Sequence, residues 1–370
     1  MNTIDRRNWL KTIGLSGSFA LLGGLEAMAF HTPEKSNPLN NLVRLSSNEN
    51  PFGPSKKVRD VILNSFDDAC RYPHGYLSSL TEMIAIKEGV SQDHIVITGG
   101  STEGLRATGL TYALSGGEVI AADPTFQAML TYTETFGGYV HRVPLNAKME
   151  HDLEAMAHRI NNRTRLIFIC NPNNPTGTLL EPNKLKDFCV SHHHQALLFS
   201  DEAYYDYITE PDYPSMVSLV KEGRNIIVSK TFSKIFGLAG MRIGYLIARP
   251  DIADRLKKSV MANTNVLGIA AAKAALHDTD FYKFSILKNT EAKTAIYQTL
   301  DHLGLEYIPS HTNFVFFKTG KPITELVEKM RKENVLIGRP FPPLTDWARV
   351  STGRLPEVQR FADALKKVLG

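Results

Sequence analysis

Ser229-Lys230-Thr231-Phe232-Ser233-Lys234-Ile235-Phe236-Gly237-Leu238-Ala239-Gly240-Met241-Arg242-Ile243-Gly244-Tyr245 is the stretch whose reading decides the fold. It follows Asn225-Ile226-Ile227-Val228, an apolar run that predicts a buried strand. Lys234 stands past the strand's end, glycines that permit close backbone packing follow it, and Arg242 comes eight positions later. A lysine at the rim of an apolar site can lose its proton and attack a carbonyl, forming a Schiff base. An arginine can hold a phosphate through two parallel hydrogen bonds. Pyridoxal phosphate needs both, with an aldehyde on one side of its ring and a phosphate on the other. Taken alone, the same two residues also fit a solvated loop lysine and an ion-paired arginine.

Upstream, four apolar runs end in polar or glycine-rich turns. Ile95-Val96-Ile97 leads into Thr98-Gly99-Gly100-Ser101-Thr102, and Val119-Ile120-Ala121-Ala122 into Asp123-Pro124-Thr125-Phe126. Leu166 to Cys170 leads into Asn171-Pro172-Asn173-Asn174-Pro175-Thr176-Gly177, and Ala196 to Ser200 into Asp201-Glu202-Ala203-Tyr204. Strands alternating with helical patterns predict a parallel sheet with crossover helices. Ligands of such sheets bind outside the carboxyl ends of the strands, so Gly100, Phe126, Asn174, Asp201 and Lys234 are expected at one site. Ser101 or Thr102 is expected to cap its helix, leaving backbone N–H groups at the positive end for a phosphate. The turn lacks the Gly-Lys-Ser/Thr of a nucleotide loop. Asp201 suits a protonated pyridine nitrogen, although an isolated strand-end aspartate also serves as a helix cap. Phe126 is either a ring stacked on the cofactor or a core phenylalanine. Glu202 and Asp206 read as solvated residues or supports of the site.

These motifs, in this order, resemble the class I/II aminotransferases, the fold-type I pyridoxal phosphate enzymes, and within them the histidinol-phosphate aminotransferase group. The resemblance implies an α/β, aspartate-aminotransferase-like fold with a large, mostly parallel-sheet domain and a smaller α+β domain. It makes Lys234 the cofactor lysine, Asp201 the partner of the ring nitrogen, and Asn174 and Tyr204 the partners of the ring oxygen. Gly100, Ser101, Thr102, Thr231, Ser233 and Arg242 would surround the phosphate and its lysine, with Phe126 over the ring where many relatives carry tyrosine. Asn50, in Asn48-Glu49-Asn50-Pro51, would line the substrate pocket. Tyr72, in Arg71-Tyr72-Pro73, would reach the cofactor phosphate of a second subunit, which implies a homodimer. Arg349, in Trp347-Ala348-Arg349-Val350-Ser351, would clamp the α-carboxylate, its fork matching that group. Arg339 would meet a distal substrate group, although Gly338 interrupts the pattern of relatives at that point.

The chain has 370 residues, 43% hydrophobic and 22% charged, enough for a sizeable core and unlike a disordered polymer. A formal charge of +4, with no basic run interleaved with aromatics, gives no argument for nucleic acid. Past the N-terminus no stretch of ~20 apolar residues offers a stable membrane anchor. Cys70, Cys170 and Cys189 make no disulfide framework, and His192-His193-His194 lacks companions at metal-ligand spacing. Asp5-Arg6-Arg7-Asn8-Trp9-Leu10-Lys11, a moderately apolar Thr12 to Leu25, and Ala27-Met28-Ala29 are laid out as a twin-arginine signal with a small-residue cleavage site. Residues 1–29 are therefore read as a signal peptide, 30–70 as an arm and part of a small domain, 71–265 as the large cofactor-binding domain and 266–370 as the small C-terminal domain. The expected location is periplasmic or exported, or cytoplasmic if the signal does not function.

The expected reaction is movement of an amino group, by way of Lys234, between an amino acid or an amino-alcohol phosphate and a 2-oxo acid. A decarboxylase or racemase would reuse the same lysine, aspartate and arginine. A cofactor-binding sensor without turnover is disfavoured, since no helix-turn-helix accompanies the motifs.

Overall fold

Lys234 leaves the end of a strand in a seven-stranded sheet. The computed structural model describes residues 41–114, 116–261 and 263–369, so the signal peptide expected over 1–29 lies outside the described residues. The described residues from Val43 onward form one compact unit. Its strands are β1 (Val43–Arg44), β2 (Ile95–Thr98), β3 (Glu118–Asp123), β4 (Tyr139–Pro144), β5 (Thr164–Cys170), β6 (Leu197–Asp201), β7 (Ile226–Thr231), β8 (Gly244–Ala248), β9 (Tyr307–Ile308), β10 (Phe314–Lys318), β11 (Val335–Leu336) and β12 (Trp347–Ser351).

The large sheet runs β2-β8-β7-β6-β5-β3-β4. All neighbours pair parallel except β8, which opposes both β2 and β7. The sheet is thus mostly parallel, as the resemblance implies, with β8 the strand that the alternation alone does not mark as reversed. The cause is local: β7 and β8 are joined by residues 232–243, whose only helix is the single 3₁₀ turn Ala239–Met241. That is too little chain for a crossover helix, so the strand returns antiparallel.

Both faces of the sheet are covered, which is why its central strands are apolar throughout. On one face Leu105 and Ala113, of the helix Ser101–Ala113, pack with Met129, Leu130, Ile252 and Leu256. On the other, Leu80 and Ile84 of the helix His74–Glu88 join Leu185, Phe188, Ile269 and Ala272. A smaller antiparallel sheet, β12-β10-β9, is backed by Ala292, Ile296, Leu326, Met330, Phe361 and Leu365 from three helices. β1 pairs with β11, tying Val43 and Leu45 into this second core.

The helix that Ser55 caps is short. It spans Lys56–Asn64 and continues as a 3₁₀ turn, Phe66–Cys70, after the Ser65 hydroxyl donates back to the Val61 carbonyl. Of the two readings of Glu202, solvated or supporting the site, burial removes the first. Glu202 is 3% exposed, because Ser215 and the Met216 N–H donate to its carboxylate and Lys230 approaches it.

Candidate active site

The carboxyl ends of β3, β5, β6 and β7 lie at one edge of the sheet, with the glycine turn after β2 beside them. There they enclose a cavity of about 220 Å³ lined by Ser101, Thr102, Phe126, Asn174, Asp201, Tyr204, Ser233, Lys234, Arg242 and Arg349, with Ser47, Asn48, Ala203 and Ala239.

The loop that carries Lys234 is closed on itself. The Phe232 N–H donates to the Ile243 carbonyl and the Leu238 N–H to the Phe232 carbonyl, while Phe232, Ile235 and Leu238 are buried. Gly237 takes φ +69°, and a side chain there would run into the Gly53 backbone. The Pro51–Gly53 turn and the lysine loop can therefore pack only through glycine. Lys234 Nζ donates to the Asn48 carbonyl at 3.0 Å and lies 5.3 Å from the Tyr204 ring centre. Burial, and then the charge of Arg349, pull its pKa down to about 8 against the opposing pull of Asp201. A fraction on the order of one in ten is then uncharged at neutral pH, enough for a nucleophile.

Asp201 ends β6 at 2% exposure and accepts a hydrogen bond from the Ala203 N–H at 3.3 Å. Burial pushes its carboxyl up to about 7. Such a group lacks a close cation and would gain one from a pyridinium. Tyr204 OH accepts from Asn48 Nδ2 at 2.9 Å and Asn174 Nδ2 at 3.4 Å, and burial raises its pKa, keeping the phenol protonated. Arg349, on β12, donates from Nη1 to Asn174 Oδ1 at 2.6 Å and from Nη2 to the Ser46 carbonyl at 2.8 Å. Its Nε is buried without a partner, and its guanidinium lies over Phe341 and Phe314. None of these contacts is a carboxylate, and burial pulls its pKa down to about 10.

At the other end of the cavity the cap of the helix Ser101–Ala113 is Gly100, not Ser101 or Thr102 as expected. Their hydroxyls are left to line the cavity beside the positive N-terminal end of the helix, where the Glu103 N–H donates to the Gly100 carbonyl. Arg242 adopts φ +52° and donates to the Ala239 and Gly99 carbonyls at 2.7 and 3.3 Å. A side chain on Gly100, at φ +82°, would overlap the Arg242 guanidinium. Helix end, the hydroxyls of Ser101, Thr102 and Ser233, and the guanidinium make a cradle for an anion of high charge.

The residues therefore fit pyridoxal phosphate. The cradle would take the phosphate, Asp201 the ring nitrogen, Asn174 and Tyr204 the ring oxygen, Lys234 the aldehyde carbon and Phe126 a ring face. Gly100→Ala is expected to weaken cofactor binding about 10- to 100-fold, since it strains a left-handed backbone and displaces Arg242. A fluorescence titration yielding the wild-type affinity would dismantle the cradle.

Other expected site residues lie apart from this cavity. Thr231 is buried in β7, its hydroxyl accepting from the Ser233 N–H. Asn50 donates to the Ile235 carbonyl and to Ser285, bracing the lysine loop from behind. Tyr72 is 81% exposed. Arg339 is exposed, donates to the Pro340 carbonyl and stacks over Phe341.

Asn48 is a residue that the sequence reading missed. It takes φ +55° at 2% exposure, its amide donates to Tyr204, its carbonyl accepts from Lys234, and Ser351 fixes it from β12. The sequence signal was an asparagine, among the few residues that tolerate such a backbone, two positions before Asn50. His151 was missed as well. It is buried and neutral, its pKa pulled to about 4 by burial, and with Thr125 it bonds Asn173 Oδ1 between the loops carrying Phe126 and Asn174.

The aminotransferase class I and II family matches this chain over residues 40–365. The chain is 38% identical over 333 residues to a histidinol-phosphate aminotransferase of Moorella thermoacetica, covering 89% of this chain and 86% of that one. The solved histidinol-phosphate aminotransferase of Sinorhizobium meliloti, in complex with pyridoxal-5'-phosphate, superposes with a TM-score of 0.83 at 29% identity, over 88% of this chain and 90% of that one. The L-threonine-O-3-phosphate decarboxylase of Porphyromonas gingivalis superposes at 0.77 with 25% identity, over 89% and 99% of the two chains. The expected aspartate-aminotransferase-like α/β fold is the fold observed.

Proposed function

Since the chain belongs to the class I and II aminotransferases and takes pyridoxal phosphate as cofactor, we propose that it moves an amino group from a phosphate-bearing amine of the histidinol phosphate kind to a 2-oxo acid. One observation carries the substrate half of this reading. Arg349 is a buried guanidinium with no carboxylate partner and an unused N–H, in the same cavity as Lys234. A buried cation so placed requires an anion, and its fork accepts carboxylate and phosphate alike. One arginine can thus serve both substrates in turn. Arg339 stacks on the same Phe341 ring as Arg349 and adds a second positive charge for the distal group.

Bound pyridoxal phosphate supplies an electron sink for the charge that builds on the substrate carbon when it loses its proton. The chain's residues do the rest. Lys234, half-disarmed by burial, holds the cofactor and then carries the proton to and from that carbon. Asp201 keeps the proton on the ring nitrogen. Tyr204, a protonated phenol, donates to the ring oxygen, and Asn174 orients both that oxygen and Arg349. Arg349 fixes the substrate's anion so that the bond to be broken stands across the ring.

The test is a donor and acceptor screen with cofactor-loaded protein. Histidinol phosphate with 2-oxoglutarate should yield glutamate, and Arg349→Met should raise KM for both partners by about 100-fold. Release of CO2 from an amino acid phosphate without any keto acid would favour decarboxylation and sink the reading.

Two further parts of the proposal rest on sequence. Residues 1–29 direct twin-arginine export, and Tyr72, exposed on its loop, completes the phosphate site of a second subunit. N-terminal sequencing of a periplasmic fraction should begin near Phe30. Sedimentation should give twice the chain mass, and a cytoplasmic, full-length monomer would contradict both.

A further inference from the structure

Behind the site lies a charged cluster that the reaction described above does not use. Lys230, on β7, donates to Glu88 Oε2 at 2.9 Å, and Tyr245 OH donates to Glu88 Oε1 at 2.7 Å. That already gives the ammonium one close counter-ion. A second carboxylate, Glu202, lies 3.7 Å from the same Nζ, accepting from Ser215 Oγ at 2.6 Å and the Met216 N–H at 2.8 Å. The side chains of Glu88, Glu202 and Lys230 are 7%, 3% and 11% exposed.

Burying a second carboxylate beside one ammonium is costly, and although the Glu202 charge helps to hold the Lys230 proton, the two carboxylates outnumber the ammonium they share. A glutamine at position 202 would keep the shape and could still accept from the Met216 N–H, its amide meeting the Ser215 hydroxyl as a donor instead. The surplus is therefore charge rather than shape, and its location is specific. Glu202 follows Asp201 directly in the chain, and its N–H donates to the carbonyl of Ser229, the residue that pairs with Asp201.

The surroundings do not cancel that charge. Lys87 comes within 3.9 Å of Glu88, but its side chain is 39% exposed and open to screening by water. Asp206, which accepts from Tyr282, adds a further negative charge, and the Tyr205 ring faces Lys230. Cys189 approaches Glu202 from the helix Pro182–His192 as a neutral thiol, since burial raises its pKa. On the cavity side stand Asp201, Lys234, Tyr204, Arg242 and Arg349, with Glu49 near Lys234.

We propose that Glu202 is a positioning residue for the reaction, holding a buried negative charge behind Asp201 and so strengthening the hold of the loaded site on the proton at the lysine–cofactor linkage. The sign follows from charge alone. A nearby negative charge favours the protonated, positively charged form of the linkage, and removing it favours loss of the proton at lower pH.

The experiment is a spectroscopic pH titration of the yellow absorbance band in cofactor-loaded, full-length protein, comparing wild type with Glu202→Gln and Glu88→Gln. Both variants should lower the midpoint, by roughly half to one pH unit, because each removes one charge from the same cluster. Cofactor binding itself should persist in both. A midpoint unchanged to within about 0.2 units, or one that rises, would reduce the cluster to a structural ion pair. If Glu202→Gln cannot be purified folded, Glu88→Gln decides by itself. Its charge acts through space, so a wild-type midpoint there overturns the proposal.

Discussion

Lys234→Ala is expected to give a folded protein that has lost the yellow band of the lysine-bound cofactor and at least ~10⁴-fold of its turnover. Two functions disappear together. On the proposed roles, the amine that would attach to the aldehyde carbon is gone, and so is the base that would reach the substrate carbon. The fold should survive, because Nζ makes a hydrogen bond to the Asn48 carbonyl and its charge is disfavoured where it sits. The pH dependence of stability checks that statement separately. The pKa of Lys234 falls from the usual lysine value to about 8 on folding, so between these values the unfolded chain binds more protons than the folded one. The penalty is complete below about pH 8 and vanishes above the unfolded value. Cofactor-free wild type should therefore gain stability relative to Lys234→Ala as pH rises through that window. Thermal melts across it measure the difference, and absorbance measures the loss of attachment. A purified variant that kept both the band and turnover would remove Lys234 from the reaction.

The placing of Lys234 in the cavity was legible in the sequence because every element of it is local. An apolar strand, a lysine past its end and glycines where backbones meet can all be read within one stretch. Asp201, Asn174 and Phe126 were legible for a related reason, each being placed by the end of its own strand. What periodicity does not carry is strand direction. β8 has the same apolar pattern as its neighbours, and only the shortness of the 232–243 connection turns it round.

Contacts between distant parts of the chain were least visible. Asn48 acquires its place from a left-handed backbone and from Ser351, some 300 positions away. For Glu202 the sequence leaves a solvated acid and a support of the site equally open until Lys230 and the Met216 N–H are brought to it. Gly100 displaced two better side-chain caps, because a left-handed residue packed against Arg242 must lack a Cβ. In each case the local propensity is ordinary and the tertiary neighbour decides.

Asp201→Asn separates ring chemistry from cofactor attachment. Asparagine preserves the size and can still accept from the Ala203 N–H, so the variant should fold, bind pyridoxal phosphate within about tenfold of wild type and retain the yellow band. Turnover should nevertheless fall by on the order of 10³-fold, because a neutral amide cannot stabilise a proton on the ring nitrogen as the carboxylate does. The cofactor-free protein offers an independent check. Burial raises the Asp201 carboxyl from the usual aspartate range to about 7, so the folded chain binds more protons than the unfolded one in between. Stability due to this group is therefore lost as pH rises through about 7. Without cofactor, Asp201→Asn should melt above wild type at pH 8 and converge with it near pH 4, while saturating pyridoxal phosphate should narrow the gap at pH 8 by giving the wild-type carboxylate its cation. Turnover at the wild-type rate, or a melting curve that tracks wild type at every pH, would show that Asp201 does not carry the ring's charge.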